Sequence, residues 1–243
     1  MINKIFKAEN EKLKRSFLLY MHLFVLLIFP LIMGLYYGSK KNFVNSQTMV
    51  ISFYEILAIV SPLVISVVVC LVFDREEKAG GCKNWLSNPI GKGKTIMTQL
   101  LYYWLWYFVE IVGTSIFYYL ILKYGFRVTG ISFLKLLLTS IAFALFGFLQ
   151  HAIAQLIVLK WNVGGAMILG FFGSVISALS ITVIFDFIWP IVPWSWQIYL
   201  IAFWQKEMSL GSQKVIGLLM LIPLFLTVIF SLLIEKAYRN WQH

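Results

Sequence analysis

What this chain has least of is charge. Only 12% of its 243 residues are Asp, Glu, Lys or Arg, against about a quarter in soluble globular domains. That shortfall excludes an ordinary water-soluble fold, because 60% of the residues are hydrophobic and the surplus apolar surface has to face lipid. Cysteine is scarcer still. Cys70 lies within an apolar run and Cys82 in a polar loop, which excludes a disulfide framework and any cysteine-based metal spacing. The apolar runs lack alternation at period two, which excludes spanning strands. Polar sequence of useful length occurs in only two places, the basic residues 1–15 and the stretch 74–94, DREEKAGGCKNWLSNPIGKGK.

A helix that crosses a bilayer needs about 20 predominantly apolar residues. Six runs meet that length: Ser16–Gly38, Met49–Phe73, Thr95–Leu122, Ile131–Leu159, Val163–Trp189 and Val215–Ile234. The expected fold is all-α, one membrane domain over residues 1–243 with six transmembrane helices. The first run is too long for the apolar region of a secretory signal and lacks a small-residue cleavage site. It ends instead on Tyr36-Tyr37, as an interfacial aromatic anchor does. With the N-terminus placed in the cytoplasm, 13 of the 20 basic residues fall on the inner side, Lys4, Lys12, Arg75, Lys78 and Lys160 among them. The positive-inside bias then puts both termini and the 74–94 loop in the cytoplasm of a multi-pass cell-membrane protein. Anionic headgroups beside these segments account for the formal net charge of +10, so the lipid bilayer is an expected partner and nucleic acid is not.

Residues 1–15 fit an amphipathic helix at the membrane surface. Ile2, Ile5, Phe6 and Leu13 fall broadly on one face, and Lys4, Lys7, Glu11 and Lys14 on the other. The fourth and fifth runs are separated only around Trp161-Asn162 and are expected to be antiparallel neighbours. The segment 190–205, PIVPWSWQIYLIAFWQ, is apolar but too short to cross again. Its prolines and tryptophans fit a re-entrant or interfacial segment on the outer side.

No catalytic centre is legible. Gly91-Lys92-Gly93-Lys94-Thr95 looks like the end of a phosphate-binding loop, but such a loop needs a glycine where Asn88 stands and a buried strand before it. The chain is expected not to be an enzyme, and to hold no nucleotide, cofactor or metal of its own. Ionisable residues inside spans are costly, and here they are His22, Glu55, Glu110, His151 and Asp186. Glu110 and His151 are candidates for a polar path or proton relay; hydrogen bonding between helices is the other reading. A glutamate-type intramembrane protease would require an arginine where Gly81 stands, and an asparagine four residues after His151, where the chain has Gln155. Small residues crowd the fifth run (Gly164, Gly165, Ala166, Gly170, Gly173, Ser174, Ser177, Ala178). They permit close helix approach, within the chain or against another subunit. Pro30, Pro62 and Pro223 each fall inside a run and are expected to kink it.

The 74–94 loop carries the strongest signal. It opens on Asp74, Glu76 and Glu77 and passes a flexible hinge at Gly80-Gly81. It then offers a short amphipathic stretch, Cys82–Ser87, bearing Trp85 and Leu86 before Asn88-Pro89. A short helix with one or two apolar knobs suits a groove on another protein. The pattern Glu76-Glu77-x-Ala79-Gly80, followed by Asn84-Trp85-Leu86-x-x-Pro89-x-x-Lys92, resembles the cytoplasmic signature of ABC-2-type permeases. Glu11-x-x-Lys14-Arg15-Ser16, leading into a span with Pro30, is similar as well. Within these permeases the chain is most similar to the lantibiotic-immunity (self-protection) subunits of Gram-positive bacteria. It departs from them at Cys82, where an aromatic is common, and at Gln99, where a lysine is usual.

The resemblance implies a permease subunit of an ATP-driven exporter. It implies pairing with a second permease, identical or similar, and with two copies of a separate ATPase that binds ATP and magnesium. Residues 1–15 would be a connecting helix, and Glu76, Glu77, Gly80, Asn84, Trp85, Leu86 and Pro89 would make the coupling contact to the ATPase. The implied cargo is a lantibiotic peptide expelled from the membrane. For an amphipathic peptide, Trp189, Trp194, Trp196 and Trp204 would make a lateral outer entrance. Another lipid-soluble cargo, or a non-transporting immunity protein, are the alternatives.

Overall fold

Lipid offers backbone N–H and C=O groups no partner, so an apolar run long enough to cross it closes its hydrogen bonds internally as a helix. The structure, a computed structural model that describes residues 2–14, 16–83, 91–205, 214 and 217–240, follows that rule, with no strand among the described residues. Helix α1 is Ile2–Lys14, α2 Phe17–Ser39, α3 Ser46–Lys78 and α4 Lys92–Leu120, which one π-helical turn, Ile121–Gly125, extends. Helix α5 is Phe133–Leu179, α6 Trp196–Gln205 and α7 Leu221–Asn240, with 3-10 turns at Val183–Phe185 and Trp189–Ile191 between α5 and α6. Five stretches are long and apolar enough to cross a membrane: Phe17–Ser39, Ser46–Lys78, Lys92–Gly125, Phe133–Leu179 and Gly217–Tyr238.

Side chains just outside three helices satisfy the first free N–H groups. Ser16 accepts from the Leu18 amide (3.2 Å), Asn45 from Thr48 (2.7 Å) and Ser132 from Lys135 (3.3 Å). Pro30 and Pro62 lie within helices that continue through them. Pro223 stands in the first turn of α7, where its missing N–H has no helical acceptor to lose.

Helix α5 is two arms joined at a break. Trp161 (φ −127°, ψ 17°) and Asn162 (φ 61°, ψ −173°) leave helical space, and the contacts with α3 show that the chain reverses there. Tyr54 donates to the Leu136 carbonyl (2.8 Å), and further along α3 Val69 and Phe73 face His151, Gln155 and Val158. The first arm, 133–160, therefore runs parallel to α3. Cys70 lies at 3.5 Å from the Val163 carbonyl, Ser66 meets Gly170 and Pro62 meets Gly173, so the second arm, 163–179, runs back. That arm ends at Leu179, not at the expected Trp189. The Ser180 hydroxyl turns to the Ile176 carbonyl (2.7 Å) and to Ser195 (2.8 Å). The four β-branched residues that follow, Ile181, Thr182, Val183 and Ile184, disfavour further helix.

No hydrophobic force draws helices together inside lipid, so close approach and interhelical polar contacts have to do it. A Cβ on Gly147 would sit 2.6 Å from the Tyr107 ring, and one on Gly170 2.5 Å from Ser66 Oγ and 3.1 Å from the Pro62 carbonyl. The small-residue face of the second arm is thus used within the chain, against α3, whereas Gly164 faces open space. Phe53 of α3 stacks on Tyr118 of α4 with centroids 4.1 Å apart, and Tyr118 donates to the Met49 carbonyl (2.9 Å). Gly34 against Ile121 and Gly113 against Leu26 set α2 parallel to α4. Helix α1, the end of α3, the start of α4 and the Trp161-Asn162 turn therefore gather at one end of the bundle.

Candidate functional site

On α1, Ile5, Glu9 and Leu13 recur every fourth residue, and all three are buried. A carboxylate thus stands in the middle of an apolar stripe, and the stripe packs on the chain itself. Phe6 meets Tyr102 of α4 edge-on, and Tyr102 donates to Asn10 (3.2 Å). Glu9 receives Arg75 (2.8 Å), Lys12 (2.8 Å) and the Tyr103 hydroxyl (3.0 Å). Glu76, 1% exposed at the end of α3, receives Lys12 (2.7 Å) and Arg75 (3.1 Å), with Gln99 at 3.5 Å. Two acids and two bases close a ring across α1 and α3, backed by α4.

Burying such a ring gains little net stability, because desolvation offsets attraction, but removing one member leaves a buried charge unpaired at a cost of about 3–5 kcal/mol. What the ring sets is register. Helix α1 can sit in only one place that pairs all four charges. Gln99, whose Oε1 has no partner among the described residues, borders a cavity of about 20 Å³ between α3, α4 and the first arm of α5. That is room for one water.

Past Lys78 the chain makes a closed cap. Gly80 (φ 130°) and Gly81 (φ 61°) adopt backbone that other residues resist, which lets the Gly81 amide reach the Glu77 carbonyl (2.7 Å) and the Cys82 amide the Glu76 carbonyl (3.1 Å). The glycine pair read as a hinge is thus hydrogen-bonded to the helix end, with the Cys82 side chain fully buried. Burial pushes its thiol up to about 11, and the Glu77 and Glu76 carboxylates add to the shift. Of the residues expected to couple to an ATPase, Glu76 turns inward to the ring, while Glu77 and Gly80 are exposed. Asn84, Trp85, Leu86 and Pro89 lie outside the described residues.

Further into the bundle a polar seam follows. Glu110 of α4 pairs with His22 of α2, both buried, with Trp106 stacked near the imidazole (6.2 Å between centroids). His151 bonds through Nδ1 to the Gly147 carbonyl one turn back (2.9 Å) and packs edge-on against Tyr107. Glu110 and His151 are therefore not a pair; each has its own partner. The Ser61 and Tyr107 hydroxyls share a hydrogen bond of 2.7 Å, and Gln197 donates to Tyr107 and to the Phe143 carbonyl, both at 3.1 Å. Gln150 donates to the Pro193 carbonyl (3.0 Å). Residues 193–197 thus stand at the level of Tyr107 and Gly147, deep among the helices. Among the described residues, no three His, Cys, Asp or Glu side chains come together as a metal site.

The four tryptophans read as an outer entrance are not alike. Trp196 is buried and donates to the Pro190 carbonyl (3.0 Å), and Trp189 is buried against Tyr199, with rings stacked at 4.6 Å. Trp194 is half-buried over Gly173, and the side chain of Trp204 lies outside the described residues. Beside them Val183, Ile184, Phe187 and Ile191 are exposed.

Sequence reasoning missed Glu9, Tyr103, Ser61, Tyr107 and Gln197. One signal was available for Glu9, an acid at the centre of the stripe formed by Ile5 and Leu13. The others carry no local mark. No curated protein and no solved structure matches the chain. The sequence pattern of the ABC-2 family transporter protein matches residues 5–177, from the N-terminal helix with its ring of charges to the second arm of α5. With well over half of its length matched, the chain belongs to the ABC-2 family of transporter proteins.

Proposed function

We propose that this chain is the permease subunit of an ATP-driven exporter that expels a lantibiotic-type peptide from the cell membrane, protecting a Gram-positive producer. Its family consists of membrane transport components that normally work with ABC ATPases. In this reading two ATPase copies, holding ATP and magnesium, grip the end of α3, at Glu76 and Glu77, and the loop after it through Gly80, Asn84, Trp85, Leu86 and Pro89. A second permease, identical or similar, completes the pathway. The membrane is crossed six times, by α2, α3, α4, the two arms of α5 and α7, with both termini in the cytoplasm. Residues 190–205 form a re-entrant segment dipping from the outer side, as the Gln197–Tyr107 and Gln150–Pro193 bonds support.

The observation that carries the reading is the inner end of α3. This helix runs without a break from the apolar interior to Glu76, is tied there to α1 by four charges, and is capped tightly where the loop begins. A push on that loop reaches the spans with little lost in flexing. The peptide would enter from the outer leaflet past Trp194, Phe187 and Ile191, with Trp189, Trp196 and Trp204 exposed as α6 moves.

The test is the joint substitution Trp85→Glu and Leu86→Glu, with the chain purified through a tag on the co-expressed ATPase. Co-purification is expected to be lost while membrane insertion is retained; unchanged co-purification would sink the coupling assignment. For the cargo, cells carrying the permease and ATPase are expected to tolerate a higher lantibiotic dose than cells with the permease alone. Equal tolerance in the two strains would count against export.

A further inference from the structure

We infer that Glu9, Lys12, Arg75 and Glu76 form a charge-locked clasp that makes the N-terminal helix and the inner end of α3 move as one body. The inference rests on the permease reading and adds to it a fixed attachment between the two cytoplasm-facing helices. A helix held at the membrane surface only by an apolar stripe can slide, because lipid and apolar side chains offer much the same contact at every register. Here the stripe is interrupted at its centre by Glu9, which is 3% exposed. Glu9 has no acceptable place except beside Arg75 of α3, since Lys12 stands on the same helix and moves with it. Glu76 is bound by the same argument from the other side: it is buried at the end of α3 and needs Lys12 from α1.

Each base bridges both acids, so no single contact can open without weakening the rest. Helix α4 closes the clasp from behind, through Tyr103 on Glu9 and Tyr102 on Asn10. Glu76 also lends its carbonyl to the cap that begins the 79–91 loop. Displacement of the loop is therefore delivered to α1 and α3 together, and these four residues are positioning residues.

The test uses the full chain in membranes, with Cys70→Ala and Cys82→Gly as background and a reporter cysteine at buried Leu13 (1% exposed), or at Ile5 (8% exposed) should the first variant fail to fold. A membrane-permeant maleimide reads whether α1 is seated. Arg75→Glu is expected to raise the labelling rate at least about tenfold by opening the contact. The exchange of all four charges together (Glu9→Arg, Lys12→Glu, Arg75→Glu, Glu76→Arg), which keeps every contact of the ring opposite in sign, is expected to bring it back to within about threefold of the unmutated ring. Protection that persists in Arg75→Glu, or an exchange that restores nothing, overturns the clasp. This arm reads α1 directly, so it stands whether or not an ATPase binds.

The second arm adds the co-expressed ATPase and a non-hydrolysable ATP analogue. The reporter is expected to stay protected with and without the analogue. Labelling that rises when the analogue binds would show α1 parting from α3, ending the one-body inference while leaving the permease reading intact.

Discussion

The residues that decide this protein are ionisable groups placed where charge is costly. His22 and Glu110 face each other across α2 and α4 with almost no exposure. Removing one leaves the other buried without its hydrogen-bond partner, so His22→Ala is expected to destabilise the protein by about 1–3 kcal/mol. Replacing the pair together, His22→Phe with Glu110→Met, is expected to recover most of that. Thermal unfolding in detergent of the two single variants and the double variant measures it. If the double variant is as unstable as the worse single one, the pair is not the interaction at stake. Cys82 answers to pH. Its thiol, raised from 9.0 to about 11, favours the protonated form in the folded chain. Its contribution to stability is therefore complete below pH 9.0 and is lost as pH climbs through about 11. Alkylation at neutral pH is expected to be slow in the native protein and fast once it is unfolded, when the thiol is exposed and returns to 9.0. Equal rates in the two states would contradict the burial.

At the scale of elements, the α5 break and the contact of its second arm with α3 matter most. Asn162 holds φ 61° with ψ −173°, a region left almost entirely to glycine and costing other residues about 1–3 kcal/mol. Asn162→Gly is expected to stabilise the protein by that order, and Asn162→Val to destabilise it, both read from thermal unfolding in detergent. Two glycines of the second arm are expected to behave oppositely. Gly170→Val has to force Ser66 and the Pro62 carbonyl away and should cost about 1–3 kcal/mol. Gly164→Ala meets nothing within 4 Å and should gain up to about 1 kcal/mol from helix propensity. A measured cost at Gly164 equal to that at Gly170 would place a neighbour where the structure has none.

For the whole molecule, the question is how the chain is threaded through the bilayer. The run from Phe133 to Leu179 qualifies as one long apolar helix, yet its arms lie in opposite directions along α3. Alkaline phosphatase fused after Gly130 or Asp186 is expected to be active, and after Lys83 or Lys160 inactive, since the enzyme folds only outside the cytoplasm. Activity after Lys160 would mean that the first arm does not cross, and the placement of both termini inside would fall with it. The fold also shows what an ABC-2 chain does with few charges. Of its 10 acids, Glu9, Glu76 and Glu110 are buried with basic partners, at positions where helices have to keep register.

The long apolar helices and the family were legible in the amino-acid order. A bilayer demands internally satisfied backbone over a fixed thickness, so the length of an apolar run is itself the structural signal. Even the N-terminal helix announced itself, although its apolar face proved to be covered by α3 and α4. Pairing was another matter. Arg75 meets Glu9 across 66 positions, Glu110 meets His22 across 88 and Gln197 meets Tyr107 across 90. No local period encodes such meetings, because they depend on how far each helix is rotated and how deep it stands against its neighbour. Only the packed structure sets those two quantities. It alone turned Glu76 from a loop carboxylate into part of a buried ring, and carried Gln197 from an outer segment to the middle of the bundle.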